Sequence, residues 1–169
     1  LIGIEPSAIL SFRDEYPDLV GSNIKTNALN LATHCLMFDE FIVREAKNGK
    51  ISSDSFVADK QEILLHGHCH QKSLSSTGPT KEMLSLPKNY TVTEIKSGCC
   101  GMAGSFGYEK EHYELSQKVG ELVLLPAVRN ASPETVIVAP GTSCRHQIKD
   151  GTGRKALHPV EVLFNALKK

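Results

Sequence analysis

EILLHG, residues 62–67, is a short apolar run that ends in glycine, and this is the pattern of a buried β-strand. Three other runs have the same character: LIGIE (1–5), TVTEI (91–95) and TVIVAP (135–140). Helix-like segments separate them, at roughly residues 22–48, 71–86 and 108–128. Strands that alternate with helices are typical of the α/β class. We therefore predict one domain over residues 1–169, an open, mainly parallel four-stranded sheet with helices on both faces.

The overall composition argues against several classes of protein. The chain is 40% hydrophobic and 22% charged, and its 19 lysines and arginines balance its 19 aspartates and glutamates. This neutral balance gives no reason to expect a nucleic-acid partner. No apolar run approaches the roughly 20 residues of a transmembrane segment, and none has the order of a signal peptide. We expect a soluble, cytoplasmic protein; peripheral attachment at the inner face of the membrane stays open.

The N-terminus indicates that the chain belongs to a longer polypeptide. It opens with LIGIEPSA, without Met and directly on a strand-like run. We therefore expect that other parts of the parent protein share its function.

The five cysteines are an odd number, which argues against a fully paired disulfide framework. Cys35 lies in a helix-like stretch and is expected to be a buried packing residue. Cys69, Cys99, Cys100 and Cys144 instead follow predicted strands, in HCHQK, SGCCGMAGSFG and GTSCRHQ. The carboxyl ends of parallel strands gather at one edge of the sheet, where such folds bind ligands. Four thiols that meet there form the ligand set of an iron–sulfur cluster or a zinc ion.

Glycines surround the vicinal cysteine pair. Gly98, Gly101 and Gly104 are expected to turn the backbone with positive φ and to bring its N–H groups close to a bound anion or to cluster sulfides. A helix that begins near Ser105 or Tyr108 would add the positive end of its dipole. On such a turn, two adjacent cysteines can reach different atoms of a multi-metal centre.

Several nearby side chains are candidates for supporting roles. We expect three histidines to ligate metal, to donate hydrogen bonds to sulfur or to supply protons: His68, His70 and His146. His66 and His158 are expected to be structural. Arg145 is suited to pair with a negative cluster or a substrate carboxylate, and a surface role stays open.

Three segments together resemble a known family: HGHCHQK (66–72), SGCCGMAGSFGYEKEHYELS (97–116) and APGTSCRHQIKDGTGRKALHPVEVL (139–163). They are similar to the cysteine-rich CCG domain that occurs in heterodisulfide reductase and in the iron–sulfur protein of glycolate oxidase. The resemblance is closest to the version fused behind a flavin domain in FAD-linked D-lactate dehydrogenase-like oxidases. It implies a 4Fe-4S cluster, and the family's cysteines fall on Cys69, Cys99, Cys100 and Cys144.

The sequence departs from the family's pattern at two positions. The family's fuller pattern ends in CxxC, whereas this chain has GTSC, so that Gly141 stands in the place of a cysteine. In the flavin-fused relatives EPS is followed by cysteine, whereas this chain has Ala8. Four thiols suffice for an ordinary cluster, but these departures argue against the noncubane cluster of some members.

The resemblance implies a function in electron transfer. In the family, such clusters pass electrons from an FAD that oxidises a 2-hydroxy acid, such as D-lactate or glycolate, to a quinone or another acceptor. The expected partners are therefore a flavin domain of the same chain or complex and that acceptor, and the chain would be a C-terminal fragment that is not catalytically competent alone. Two alternatives stay open: a zinc-binding structural domain, and a disulfide reductase that attacks its substrate at the cluster.

Overall fold

The computed structural model describes residues 1–169, in which short strands alternate with short helices. The strands are β1 (Ile2–Gly3), β2 (Leu36–Met37), β3 (Gln61–Leu65), β4 (Tyr90–Glu94), β5 (Val136–Val138) and β6 (Ala156–Leu157). The helices are α1 (Pro6–Ile9), α2 (Tyr16–Leu19), α3 (Lys25–Thr33), α4 (Phe38–Lys47), α5 (Cys69–Leu74), α6 (Gly78–Leu84), α7 (Tyr113–Glu121), α8 (Leu124–Asn130), α9 (Thr142–Thr152) and α10 (Pro159–Asn165).

The main sheet has four parallel strands in the order β4-β3-β5-β6. In its register, Ile63 lies between Val92 of β4 and Val136 of β5. This architecture confirms the predicted α/β class with its open, parallel, four-stranded sheet.

One strand of this sheet differs from the prediction. The LIGIE run contributes β1 to a separate two-stranded parallel sheet with β2, and the fourth strand of the main sheet is β6. β6 is only two residues long, so it leaves no strand-length apolar run in the sequence. Its backbone is recruited by β5, where Ile137 pairs with Ala156 and Val138 with Leu157.

Helices cover both faces of the main sheet, because alternate side chains of each strand point to opposite sides. Towards α6 and α10 lies a buried core of Ile63, Leu65, Leu84, Val138 and Val162. The opposite face, under α8 and α9, buries a larger core that includes Leu124, Leu125, Val128, Ile137 and Ile148. Full burial of each such side chain contributes about 1.5–3 kcal/mol.

Each of the three long helical segments of the prediction is divided in the structure. The segment at 22–48 is interrupted by β2, and Cys35 lies between α3 and β2 rather than inside a helix. Its predicted burial is confirmed, because Cys35 is 1% exposed. The interruption has a tertiary cause: Arg13 donates to the Cys35 carbonyl and pairs with Glu40, and β1 pairs with β2. Such contacts override local helical periodicity.

The order of the strands creates a divergence point beside β3. The chain passes from β3 to its neighbour β4 and then crosses back to β5 on the other side of β3. The connections after β3 and β5 therefore run to opposite faces of the sheet. In open α/β sheets, ligands bind in the crevice between two such connections. The segments that carry the four predicted cysteines follow β3, β4 and β5.

None of the ten helices has the length and hydrophobicity that a bilayer-spanning segment requires.

Candidate metal centre

The structure brings the four predicted cysteines together. Cys69 is the first residue of α5, after β3; Cys144 lies in the first turn of α9, after β5. Cys99 and Cys100 lie in the loop after β4. The thiol of Cys99 interacts with those of Cys69 and Cys100, and Cys100 interacts with Cys144. We call this arrangement the thiol row. Cys35 lies apart from it, in a separate apolar core near the N-terminus.

Close contact between neighbouring thiols of the row shifts their pKa values. Interaction with Cys99 raises the pKa of Cys69, and interaction with Cys144 raises the pKa of Cys100. The neighbouring Cys100 thiol lowers the pKa of both Cys99 and Cys144. The pKa shifts thus alternate in direction along the row, because adjacent negative charges repel. A bound metal cation would offset this repulsion and stabilise all four thiolates.

His66 lies beside the buried end of the thiol row. One of its ring nitrogens and the Sγ atoms of Cys100 and Cys144 all lie within 4.8 Å of one another. Its Nδ1 atom is 2.8 Å from the hydroxyl of Ser97, and the ring is fully buried. The structural role expected for His66 from the sequence did not include this placement. The sequence did contain one indication of this placement: His66 follows the apolar residues of β3, and the segment after this strand carries Cys69.

His68 fills the space in which the resembling family has a cysteine. A Cβ atom added to Gly141 would lie 2.3 Å from Cδ2 of His68 and 3.2 Å from Sγ of Cys144. The imidazole of His68 is 7% exposed, and its Nδ1 atom has no hydrogen-bond partner. A side chain at position 141 would therefore clash with His68 in this orientation.

The other two histidines of the expected supporting set point elsewhere. The chain enters α5 at Cys69, so His70 lies in a helix and does not continue the extended backbone that ends at His68. His70 lies with its Nε2 atom 3.8 Å from a carboxylate oxygen of Glu15. His146 is exposed, and its Nδ1 atom bonds the hydroxyl of Tyr108. These two rings lie outside the immediate contacts of the thiol row.

Arg145 and His158 both have structural partners. The guanidinium of Arg145 donates to the carbonyls of Ala139 and Pro140 at 3.0 and 2.7 Å, and so holds the turn between β5 and α9. His158 precedes α10, and its Nδ1 atom accepts from the N–H of Val160. His158 therefore has the structural role expected from the sequence, as the cap of α10.

The glycine-rich loop follows the prediction in part. Gly101 and Gly104 have φ values of 102° and 69°, whereas Gly98 has no positive φ, so the prediction was wrong there. The N–H of Gly101 donates to Sγ of Cys99 at 3.3 Å. Such a hydrogen bond stabilises negative charge on the sulfur.

The prediction of a helix near Ser105 or Tyr108 was wrong. Only a 3-10 turn forms at Phe106–Tyr108, α7 begins at Tyr113, and Ser105 is exposed. Two other helices begin at the thiol row instead, α5 at Cys69 and α9 two residues before Cys144. The positive end of α9 therefore lies beside the buried thiols.

Gln147 is a second residue near the thiols that the sequence pattern did not single out. It is 1% exposed, and its Nε2 atom donates at 3.0 Å to the carbonyl of Cys100 and to the carbonyl and hydroxyl of Ser116. Gln147 thus ties the vicinal cysteines to α7 and α9. Lys72 has a similar role on the other side, because its Nζ atom donates to the carbonyl of Ser97 at 2.7 Å.

The chain is similar over almost its whole length to parts of known dehydrogenases. It is 28% identical over 169 residues to one of the subunits of the anaerobic glycerol-3-phosphate dehydrogenase of Escherichia coli K12. It is 26% identical over 169 residues to the D-2-hydroxyglutarate dehydrogenase of the same strain, and 27% identical over 174 residues to that of Haemophilus influenzae. These alignments cover 99% of this chain but only 40% of the first relative and 16% of each of the other two. No family model and no solved structure matches the chain.

The chain is therefore related to oxidoreductases or their subunits, at low identity. The donor chemistry of the site agrees with a metal centre, because soft thiolates and neutral imidazole are the ligands that iron–sulfur clusters and zinc prefer. The unpartnered Nε2 atom of His66 agrees with it too, because a buried nitrogen without a partner is destabilising unless something binds it.

Proposed function

We propose that this chain is an electron-transfer module of a longer oxidoreductase and that it holds a 4Fe-4S cluster on Cys69, Cys99, Cys100 and Cys144. The observation that carries the proposal is the thiol row itself. Segments that are far apart in the sequence bring four free thiols together at the carboxyl edge of the sheet, each in contact with its neighbour in the row. Thiols that served only to fill the core would have no reason to gather at this edge.

The shape of the donor set favours a multi-metal centre. Donors that share one zinc ion at bond lengths of about 2.0–2.3 Å lie within about 4.5 Å of one another. Among the donors of this site, His66, Cys100 and Cys144 form the compact group, with donor atoms within 4.8 Å of one another. Cys69 and Cys99 extend the row beyond this group. A cluster with several iron atoms can use all four thiolates, whereas a zinc ion bound by the compact group would leave Cys69 and Cys99 unused.

When bound, the cluster would accept and release single electrons. The chain's own groups then set how easily it is reduced. The N–H of Gly101 and the positive end of α9 both stabilise added negative charge, which raises the reduction potential. Cys100 and Cys144 are buried, whereas Cys69 and Cys99 are only partly buried. The latter end of the row is therefore the side on which an electron-transfer partner would approach.

The similarity to dehydrogenases supports a wider role for the parent protein. We infer that another domain or subunit uses FAD to oxidise the hydroxyl-bearing carbon of its substrate, a 2-hydroxy acid or a related secondary alcohol. The electrons would then pass through this module to a quinone or another acceptor. No group in this chain is assigned to the hydride-transfer step.

The test is the metal content of the full-length protein purified without oxygen. We expect a brown protein with about four iron atoms and four sulfides per module. Serine variants of Cys99 and Cys144 should lose most of the iron. The matched control is Cys35→Ala, which removes a buried thiol outside the row and should keep the iron. Wild-type protein without iron, or variants of the row that retain it fully, would contradict the cluster.

A zinc site is the second candidate, and the compact group of His66, Cys100 and Cys144 favours it. These residues form a Cys₂His set, to which a fourth ligand can be added. Elemental analysis of the same preparation separates the two candidates. Zinc in a ratio of about one per chain, without iron and without colour, supports this second assignment.

A further inference from the structure

We propose that His66 is itself a ligand of the metal centre through its Nε2 atom and that Ser97 is the residue that positions it. This inference deepens the proposed function and rests on it. It makes the centre a mixed thiolate and imidazole site, in which the imidazole takes the place of one of the four thiolates, because each iron of a 4Fe-4S cluster has one protein ligand. Neither the sequence pattern nor the resemblance assigns such a role to position 66.

A backbone hydrogen bond to the neighbouring strand fixes the position of His66. His66 directly follows β3, and its N–H donates to the carbonyl of Val138 in β5 at 2.8 Å. The residue is thus anchored between the two strands whose connections diverge to opposite faces of the sheet. Its imidazole has no exposed surface, so it cannot take hydrogen bonds from bulk water.

Ser97 determines which ring nitrogen faces the thiols. The hydroxyl of Ser97, itself 8% exposed, lies 2.8 Å from Nδ1 of His66. When Nδ1 carries the proton and donates it to this hydroxyl, Nε2 carries the lone pair. Ligating histidines commonly have such a hydrogen bond on their other nitrogen, because it fixes the tautomer and the ring orientation.

The Nε2 atom has no hydrogen-bond partner, although it is fully buried. A nitrogen of the same ring lies within 4.8 Å of the Sγ atoms of Cys100 and Cys144, which come from the segments that follow β4 and β5. Donors of one metal ion lie within about 4.5 Å of one another. A small adjustment of side chains would therefore let the imidazole replace one of these two thiolates on an iron of the cluster, or join both of them on a single zinc ion.

No other histidine near the site combines these features. His68 is buried with an unpartnered Nδ1 atom, but no group tethers its ring, which packs against Gly141. His70 and His146 have partners outside the thiol row. His66 alone combines one nitrogen bonded to a buried hydroxyl, a second nitrogen without a partner, and two thiols within 4.8 Å of its ring.

An imidazole ligand has a measurable consequence. Imidazole is neutral, whereas a thiolate carries a negative charge. Replacing thiolate by imidazole on iron raises the reduction potential of an iron–sulfur centre. His66→Cys should therefore keep the metal, because a thiolate takes the place of the ring, and it should lower the reduction potential.

The experiment uses the full-length protein, produced with ¹⁵N-labelled histidine, purified anaerobically and reduced. Pulsed electron paramagnetic resonance should show the strong ¹⁵N hyperfine coupling of an iron-bound imidazole. His66→Cys should lose this coupling and keep its iron. The matched control is His146→Gln, which removes an exposed imidazole near the site and should leave the coupling unchanged.

A second variant tests the positioning role. Ser97→Ala should keep the iron content but change the ¹⁵N coupling and shift the reduction potential, and Ser97→Thr should restore both. If the protein holds zinc instead, X-ray absorption at the zinc edge should show one imidazole among the ligands, and this imidazole should be absent in His66→Cys.

The outcomes separate this inference from the proposed function. Protein that binds neither iron nor zinc overturns both. A wild-type metal centre without imidazole coupling overturns only the role of His66, and this result needs no variant to fold. Coupling that persists unchanged in His66→Cys also overturns it.

Discussion

Alanine in place of each glycine in the loop around the vicinal cysteines should give a graded series of losses in stability. The three positions differ in two measurable respects, the backbone angle and the free space. Gly101 has a φ of 102°, and a Cβ atom there would lie 2.1 Å from the carbonyl oxygen of Ser116. Gly104 has a φ of 69° but open space around it, and Gly98 has open space and no positive φ.

These differences predict the size of each effect. Gly98→Ala should change the free energy of unfolding by less than about 0.5 kcal/mol. Gly104→Ala adds only the strain of a positive φ, about 1–2 kcal/mol. Gly101→Ala adds about 1–3 kcal/mol of backbone strain, about 1–3 kcal/mol for the forced displacement of α7, and the weakening of the hydrogen bond from Gln147 to Ser116, about 1 kcal/mol. Its total, about 3–7 kcal/mol, is a large part of the roughly 5–15 kcal/mol that stabilises a typical domain.

The assay is urea unfolding of the metal-free protein under reducing conditions, followed by circular dichroism. Because the metal is removed, the measured free energy of unfolding reflects the packing of the loop and does not depend on how much metal the site holds. The expected order of stability is Gly98→Ala, then Gly104→Ala, then Gly101→Ala as the least stable. A Gly101→Ala variant as stable as Gly98→Ala would refute the close packing of this loop against α7.

Three further predictions concern positions outside the thiol row. Ala103 is a non-glycine residue with a φ of 41°, so Ala103→Gly should relieve strain and raise the midpoint of urea unfolding by the equivalent of about 1 kcal/mol; an unchanged or lower midpoint would contradict this. Burial tends to raise the pKa of Glu40, but the hydrogen bonds from Arg13, Met37 and Ser75, together with the charge of Arg13, outweigh it, and the pKa lies below its usual value of 4.5. A lowered carboxyl pKa stabilises the fold above 4.5, and this contribution disappears as the pH falls through the folded-state value. Glu40→Gln should therefore be less stable at neutral pH and should lose less stability on acidification, as measured by unfolding at a series of pH values; parallel curves for variant and wild type would contradict this. Arg154 donates to five backbone carbonyls around the end of α8. Arg154→Lys, which has three donors, should lose about 1–3 kcal/mol in urea unfolding, whereas the exposed Arg129→Lys serves as the control and should show no comparable loss.

Local sequence patterns predicted the main elements of the fold well where the elements are long enough to leave a pattern. β3, β4 and β5 each lie almost wholly within a predicted apolar run, and the parallel sheet follows from their alternation with helices. The two-residue strand β6 could not be predicted, because its pairing with β5 comes from tertiary contact and not from an apolar run. The same reason explains β2, which interrupts a segment with helical periodicity.

The candidate site divides in a similar way. The positions of Cys69, Cys99, Cys100 and Cys144 after predicted strands were enough to predict their convergence. The roles of neighbouring polar residues were not predictable from position, because they depend on the direction of side chains in space. His66 was expected to be structural and lies against two of the thiols. His70 and His146 were expected to support the site and have partners elsewhere.

The sequence by itself determined the class of the fold and the edge of the sheet at which the thiols meet, because the side-chain pattern of a strand and the direction of parallel strands are local and regular. Only the tertiary structure decided which imidazole faces the sulfur atoms, that His68 occupies the space beside Gly141, and that α9 rather than a helix near Ser105 directs its positive end at the site. These outcomes depend on which buried surfaces pack together, and packing is a property of residues that are distant in the chain.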